Sequence, residues 1–455
     1  MFVVSNRGPF RFTTEADGTV TTRPGGGGVS SALRPLLTDP GVDAHWIAAA
    51  MTADERAAVR SGAVHVPDLD LVLLDLDPEQ ARLHYDIVSN QTLWFLHHGM
   101  FDLAHRPTFD PRFRDAWQAY TAVNRAFADA VVERATAGDA VLVQDYQLAL
   151  VPGLVTAARP DLRVGFFTHT PFCGPNSIRV LPTDIAETVL RSMRSVPCGF
   201  HTARWARAYT ASARELLGAD PPPRAYAASL GPDAVHLAEV AASDAARAAL
   251  RELDAVVGDR RMLLRIDRVE PSKNIVRGFA AYDHLLERHP EWRANVVFVA
   301  LLNPSRESLP EYLAYGDEVV QAAEAVNARW GSADWQPVVL DTRDDFAGSI
   351  AALGRYDVLL VNPIKDGLNL VAKEGPLCNQ RDGVLCLSPE AGAFDELGPA
   401  ALAVHPWDVE QSAEQLHAAL VMPSEARAAR AEWLRRLAGA RTPRHWLDDQ
   451  LAALS

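Results

Sequence analysis

What most constrains this chain is an alternation that runs along its whole length. Short apolar runs the size of strands are each followed by longer stretches with helical spacing. Residues 2–5, 45–48, 71–74, 140–144 and 164–168 read as strands, with helical patterns such as 115–134 and 184–194 between or after them. The series restarts at 261–266 and continues through 295–301, 337–340, 358–361 and 384–387. Strands that alternate with helices pair in parallel through one-handed crossovers, so the pattern predicts an α/β protein with two doubly wound, Rossmann-like sheets. A length of 455 residues also exceeds what one ordinary core serves.

The expected divisions are a first domain over 1–235, a second over 236–423 and a helical tail over 424–455. Leu230-Gly231-Pro232 reads as the last loop of the first domain, after the rigid turn Asp220-Pro221-Pro222-Pro223-Arg224. The tail is rich in Ala, Arg and Leu and carries Trp433 and Trp446, a composition suited to packing back on the first domain.

A formal net charge of -14 disfavours a broad nucleic-acid or anionic-membrane surface, so any phosphate must be met by a few local cations. Cys173, Cys198, Cys378 and Cys386 form no C-x-x-C pair, which points to reduced thiols and to neither a zinc site nor a disulfide framework. The chain enters a strand at once, lacks a leader pattern and has no bilayer-length apolar run, so a soluble cytoplasmic enzyme is expected.

Four segments carry chemistry. In Asp366-Gly367-Leu368-Asn369-Leu370-Val371-Ala372-Lys373-Glu374, two carboxylates flank a glycine and a short apolar stretch just past a strand ended by Pro363. Ligands bind beyond such strand ends, where helix starts offer N–H groups to anions. The alternative is a solvated Asp366 and a Glu374 that merely favours the helix dipole. The run Gly25-Gly26-Gly27-Gly28, before a helical stretch, lets backbone approach a diphosphate, or else is a flexible turn. His169 leaves the strand over 164–168 ahead of Pro171, placed to hydrogen-bond a sugar hydroxyl or to serve as a buried structural histidine. Arg268 and Lys273 end the second domain's first strand. They can converge on a diphosphate as fork and point charge, or Arg268 can pair with Glu270.

These segments, together with Ser5-Asn6-Arg7, Ser89-Asn90-Gln91-Thr92-Leu93-Trp94, Gln144-Asp145-Tyr146 and Pro304-Ser305-Arg306, occur in an order that resembles the trehalose-6-phosphate synthase family over nearly the whole chain. The resemblance implies a GT-B fold, with two Rossmann-like domains and the active site in the cleft between them. It implies a retaining glucosyltransferase acting on a nucleotide-glucose and glucose 6-phosphate by a front-face reaction, with no metal or other cofactor. Arg268 and Lys273 would hold the diphosphate, and Asp366 and His169 the transferred glucose. Gly27, Gly28, Asn369, Leu370 and Val371 would serve the donor's sugar and phosphates, and Glu374 its ribose. Arg7, Tyr85, Trp94 and Arg306 would bind the acceptor, with Asp145 and Tyr146 near its ring.

The resemblance thus implies small-molecule partners only, without nucleic acid or membrane, and leaves room for a homo-oligomer. The segment 265–274 and the glycine run look most like actinobacterial members, some of which use GDP-glucose; ribose and diphosphate contacts do not separate GDP from UDP donors. The sequence departs from the family on the acceptor side, at Gln144 and Gln147 and over 173–176. Gln147 is similar to pseudo-glycosyltransferases that join cyclitols, so an alternative is a family member with another phosphorylated or cyclitol acceptor. A sensor without activity is disfavoured because the donor groups are all present.

Overall fold

The computed structural model describes residues 1–15, 19–26, 28–38 and 42–455. The chain forms two compact units, Met1–Leu230 with Pro443–Ser455, and Gly231–Thr442. The division therefore falls slightly before residue 235, and the tail is split. Its helix Ser424–Ala438 stays with the second unit, while Pro443–Ser455 belongs to the first. The two tryptophans differ accordingly, Trp446 being fully buried and Trp433 40% exposed. Gly231 lies so close to the backbone of Arg441 and Thr442 that no Cβ fits there, which ties the point of departure to the point of return.

The first unit is built on β1 (Phe2–Arg7), the hairpin β2 (Phe10–Thr14) and β3 (Val20–Pro24), then β4 (His45–Ala49), β5 (Asp70–Leu74), β6 (Ala140–Gln144), β7 (Arg163–Thr168), β8 (Cys198–Phe200) and β9 (Ala225–Ala227). Apart from the hairpin these pair in parallel, in the order β5-β4-β1-β6-β7-β8-β9. Strand β6 is buried along its full length, as expected of a parallel sheet covered on both faces. The second unit holds β10 (Arg261–Arg268), β11 (Val296–Asn303), β12 (Val338–Asp341), β13 (Val358–Val361), β14 (Val384–Leu387) and β15 (Leu402–Ala403), all parallel and ordered β12-β11-β10-β13-β14-β15.

Both sheets share one logic. The chain lays strands outward to one side of the first strand, then returns to its other side, which creates a switch point between β1 and β6 and another between β10 and β13. Three helices bear on the sites: α1 (Gly28–Leu37), α2 (Leu370–Cys378) and α3 (Pro443–Ala452). A π-helical segment, Leu83–Trp94, continues the helix Pro78–Arg82 and runs into Phe95–His98.

Several strands run further than their apolar cores suggest. The β10/β11 ladder continues to the pair Arg268–Asn303, so charged residues sit within a regular ladder where apolar periodicity has already ended. The hairpin and the two- and three-residue strands β8, β9 and β15 give no periodic signal and were not expected. No described helix is long and apolar enough to cross a membrane.

Candidate active site

Each unit gathers its chemistry at the C-terminal ends of its strands, at the switch point and along the strands beside it. In the first unit Arg7 closes β1, Asp145 follows β6, His169 follows β7 and His201 follows β8. Arg7 Nη2 donates to the Tyr85 hydroxyl at 3.0 Å, with its guanidinium 5.4 Å from the ring centre. Tyr85 stands near the start of the π-helical segment. An i→i+5 ladder has about 4.4 residues per turn, so side chains at 85, 90 and 94 fall on one face, which ordinary α-helical geometry would scatter. Asn90 Oδ1 accepts from the Tyr146 hydroxyl at 2.8 Å, and Trp94 stacks on His98 at 4.1 Å. Trp94 and Tyr146 are 2% and 3% exposed. They therefore belong to the floor of the unit, whereas Arg7 with Tyr85 stays at its surface.

Asp145 has φ 72° and ψ 164°, a region almost confined to glycine, at a cost of about 1–3 kcal/mol. Bonds to the end of β7 help to hold it there. Its N–H donates to the Phe167 carbonyl at 2.7 Å, and its Oδ1 accepts the His169 N–H at 3.0 Å. His169 is held on both ring nitrogens, Nε2 lying 3.0 Å from Gln144 Oε1 and Nδ1 3.1 Å from His201 Nε2. Burial lowers its pKa to about 3, so the ring is neutral. The imidazole is thus held in one orientation by a neighbour on each ring nitrogen. In the glycine run, Gly25 donates to the Pro9 carbonyl at 2.8 Å and has no room for a Cβ against Gly8 and Pro9, while Gly28 opens α1. Gly27 lies outside the described residues.

In the second unit Lys273 Nζ meets Asp366 Oδ2 at 2.5 Å. Asn369 Nδ2 donates to the same oxygen at 3.1 Å, and Asn369 Oδ1 caps α2 by accepting from the Ala372 N–H at 3.0 Å. Asn369 holds φ 79° to do both. The cap leaves Leu370 and Val371 in the first turn, whose N–H groups lack intrahelical acceptors by helix geometry and face the favourable end of the dipole for an anion. Burial pulls the Lys273 pKa down, but Asp366, Asp267 and Glu270 outweigh it and hold the ammonium above its ordinary value. Beneath, the fully buried Arg265 donates to Asp267, to the Lys273 carbonyl and to Asn362 Oδ1 at 2.7–2.9 Å, bracing the loops after β10 and β13 together.

Glu270 organises the remaining cations. Its Oε1 lies 3.2 Å from Arg268, 3.1 Å from Arg306 and 3.0 Å from the Ser305 hydroxyl. Burial alone would raise its pKa, yet Arg268, Arg306 and Lys273 depress it to about 2. Arg306 also donates to the Tyr312 hydroxyl at 2.6 Å and has φ 48°. It therefore stands with Arg268 in the second unit, not in the unit of Arg7 and Tyr85, and its side chain is only 9% exposed. Glu374, one turn into α2, has no hydrogen bond or ion pair among the described residues, and burial raises its pKa to about 7. Lys373 points elsewhere, fully buried against Glu396 at 3.0 Å.

His201 and the Arg265 brace were not assigned roles from sequence, and Glu270 was named only as the alternative partner of Arg268, a pair that the structure forms at 3.2 Å. His201 follows a strand end just as His169 does, but its three-residue strand hides it. Glu270 lies between Arg268 and Lys273, where an acid amid cations was the available signal. Among the described residues, His289, Glu291 and His417 form one group with metal-ligand atoms near one another. Its two imidazoles stack 3.6 Å apart at 6°, so their lone pairs lie in parallel planes and do not converge on one ion.

The profile of glycosyltransferase family 20 matches residues 1–455. A trehalose-6-phosphate synthase of Mycolicibacterium vanbaalenii is 32% identical over 483 residues, covering 100% of this chain and 95% of that protein. A UDP-forming alpha,alpha-trehalose-phosphate synthase A of Dictyostelium discoideum is 29% identical over 98% of this chain, which spans 61% of that relative's length. Among solved structures, a UDP-forming alpha,alpha-trehalose-phosphate synthase from Burkholderia xenovorans in complex with glucose-6-phosphate matches with a TM-score of 0.86 and 26% identity, over 100% of this chain and 99% of that one.

Proposed function

The chain belongs to glycosyltransferase family 20, and from that membership we propose that it is a retaining glucosyltransferase of GT-B architecture that makes α,α-trehalose 6-phosphate. The donor is a nucleotide-glucose, UDP-glucose or GDP-glucose, and the acceptor is glucose 6-phosphate. The observation that carries this reading is the cluster of Lys273, Asp366 and Asn369 at the β10/β13 switch point, opening onto the first turn of α2.

In the reaction the bond from the donor's anomeric carbon to the diphosphate oxygen breaks, and the acceptor's anomeric hydroxyl forms the new bond from the same face. The hydroxyl proton passes to the departing diphosphate, which balances the step without a carboxylate nucleophile. That suits an Asp366 already committed to Lys273 and Asn369, in contrast to the paired carboxyls of retaining hydrolases. Arg268 and Lys273 stabilise charge on the leaving diphosphate, so no resident metal is needed, and the N–H groups of Leu370 and Val371 add to that field. Asp366 accepts from glucose hydroxyls, Glu374 from the ribose, and Gly28 lets backbone approach the donor. Arg7 and Tyr85 serve the acceptor's phosphate, Trp94, Asp145 and Tyr146 belong to the acceptor side of the first unit, and Arg306 is assigned to the acceptor by the family resemblance alone.

Purified protein incubated with UDP-glucose or GDP-glucose and glucose 6-phosphate should yield a disaccharide phosphate by mass, and unphosphorylated glucose should be a poor acceptor. Product from neither donor, with turnover of an activated cyclitol instead, would replace this reading with the cyclitol-coupling one.

A further inference from the structure

Within the first unit a line of hydrogen bonds runs from α3 to His169. Gln450, on α3 and 1% exposed, accepts from Gln144 Nε2 through its Oε1 at 2.9 Å. Gln144 Oε1 in turn faces His169 Nε2 at 3.0 Å, and His169 Nδ1 faces His201 Nε2 at 3.1 Å. The same face of the helix supplies packing. Trp446, four residues before Gln450, sets its ring against His169 at 5.5 Å and against Phe167 at 5.2 Å. Leu454, in the turn just beyond α3, occupies the space beside Gly165 that any larger residue there would need.

An amide offers one donor end and one acceptor end on a rigid group, and a neutral imidazole offers one of each. With its N–H₂ spent on Gln450, Gln144 turns its carbonyl oxygen to His169, which must answer with a proton on Nε2. His169 Nδ1 is then the acceptor, and His201 supplies its Nε2–H. The backbone of His169 is fixed as well, through its N–H to Asp145 Oδ1. With both amides turned this way, the Gln450 carbonyl, two hydrogen bonds away, sets the tautomer and the ring orientation of His169.

We propose that Gln450, acting through Gln144, is a positioning residue for His169, so that the last helix of the chain is part of the catalytic apparatus of the first unit. This gives the departure at Gln144 a role, because a glutamine can relay a hydrogen bond from helix to imidazole. The choice of activity assay rests on the trehalose-phosphate synthase reading; the tautomer does not.

Two measurements on the full chain test it. With histidine labelled in ¹⁵N, and the His169 signals identified by their loss in His169→Asn, the wild-type ring should show the Nε2–H tautomer near neutral pH. Gln450→Leu, which keeps the bulk but removes the acceptor, should lose that single signature. It should also lower kcat roughly ten- to hundredfold with KM for both substrates little changed. Gln450→Glu, held protonated by burial and retaining a carbonyl acceptor, should restore both. A wild-type His169 with its proton on Nδ1 overturns the proposal even if Gln450→Leu fails to fold. So does a folded Gln450→Leu with wild-type kcat and an unchanged spectrum. A wild-type enzyme that makes no trehalose 6-phosphate defeats the functional reading instead, and leaves the tautomer to decide this one.

Discussion

Glu374 and Glu270 are carboxylates whose surroundings push them in opposite directions. Glu374 rises from an ordinary 4.5 to about 7 through burial, so the folded chain holds its proton where the unfolded chain has released it. Between about pH 4.5 and 7 the folded state binds more protons, and stability falls with rising pH by at most about 3 kcal/mol from this group, less to the extent that water reaches it. Glu270 does the reverse; its depressed value of about 2 contributes stability above the unfolded pKa of 4.5, lost as pH falls through 2. Ligand-free Glu374→Gln should therefore show a flatter melting profile between pH 5 and 8 and be about 1–3 kcal/mol more stable at pH 8, while its KM for the donor rises. An unchanged pH slope in denaturant titrations would contradict the environment described. Arg268 and Lys273 differ in a similar way. Each replaced by alanine should cut kcat on the order of a hundredfold, since each acts on the charge of the leaving diphosphate. Lys273→Ala should destabilise the fold the more, by about 3–5 kcal/mol, because it strips a cation from the shielded Asp366 and leaves it the Asn369 amide, which carries no charge. Arg268, with its side chain 57% exposed, should cost less when lost, since the buried Glu270 that it pairs with keeps Arg306 and the Ser305 hydroxyl. Equal melting temperatures for the two variants would count against this distinction.

At the scale of elements, the helix α2 was legible and the π-helical segment was not. The strand ending at Pro363, the glycine and the apolar stretch after Asn369 announce α2 in ordinary terms. Leu83–Trp94 instead repeats near a period that neither the helical nor the strand template detects, so its Tyr85 and Trp94 drew meaning only from the family resemblance. Its internal bonds explain the geometry. The Ser89 hydroxyl donates to the His84 carbonyl at 2.7 Å and the Thr92 hydroxyl to the Ile87 carbonyl at 2.8 Å, each reaching back five residues along the wide turn. Ser89→Ala combined with Thr92→Val should cost about 1–3 kcal/mol of stability, being two part- or fully buried hydrogen bonds. Because the segment aligns Tyr85 with Asn90 and Trp94, the same variant should raise KM for glucose 6-phosphate severalfold and leave donor KM alone. Calorimetry and initial rates with each substrate varied in turn would check both, and a donor-side effect would remove the π-helix from the acceptor site.

For the molecule as a whole, the two sheets and their class were visible in the alternation of strand and helix, because that signal is local and repeated. The partition of the tail was not, since it depends on pairs such as Gln144 and Gln450, which are 306 positions apart and leave no trace in either neighbourhood. Likewise Arg306 could be matched to a motif, but its place beside Glu270 and Tyr312 follows from strand order and not from spacing. The shared tail has a consequence for how the protein is made. Translation releases Met1–Leu230 first, then must complete Gly231–Thr442, on the order of ten to forty seconds of elongation, before the segment bearing Trp446 emerges. Throughout that interval the nascent first unit lacks the indole that fills its core and the leucine that covers Gly165. The unit that leaves the ribosome first is the last one able to finish folding.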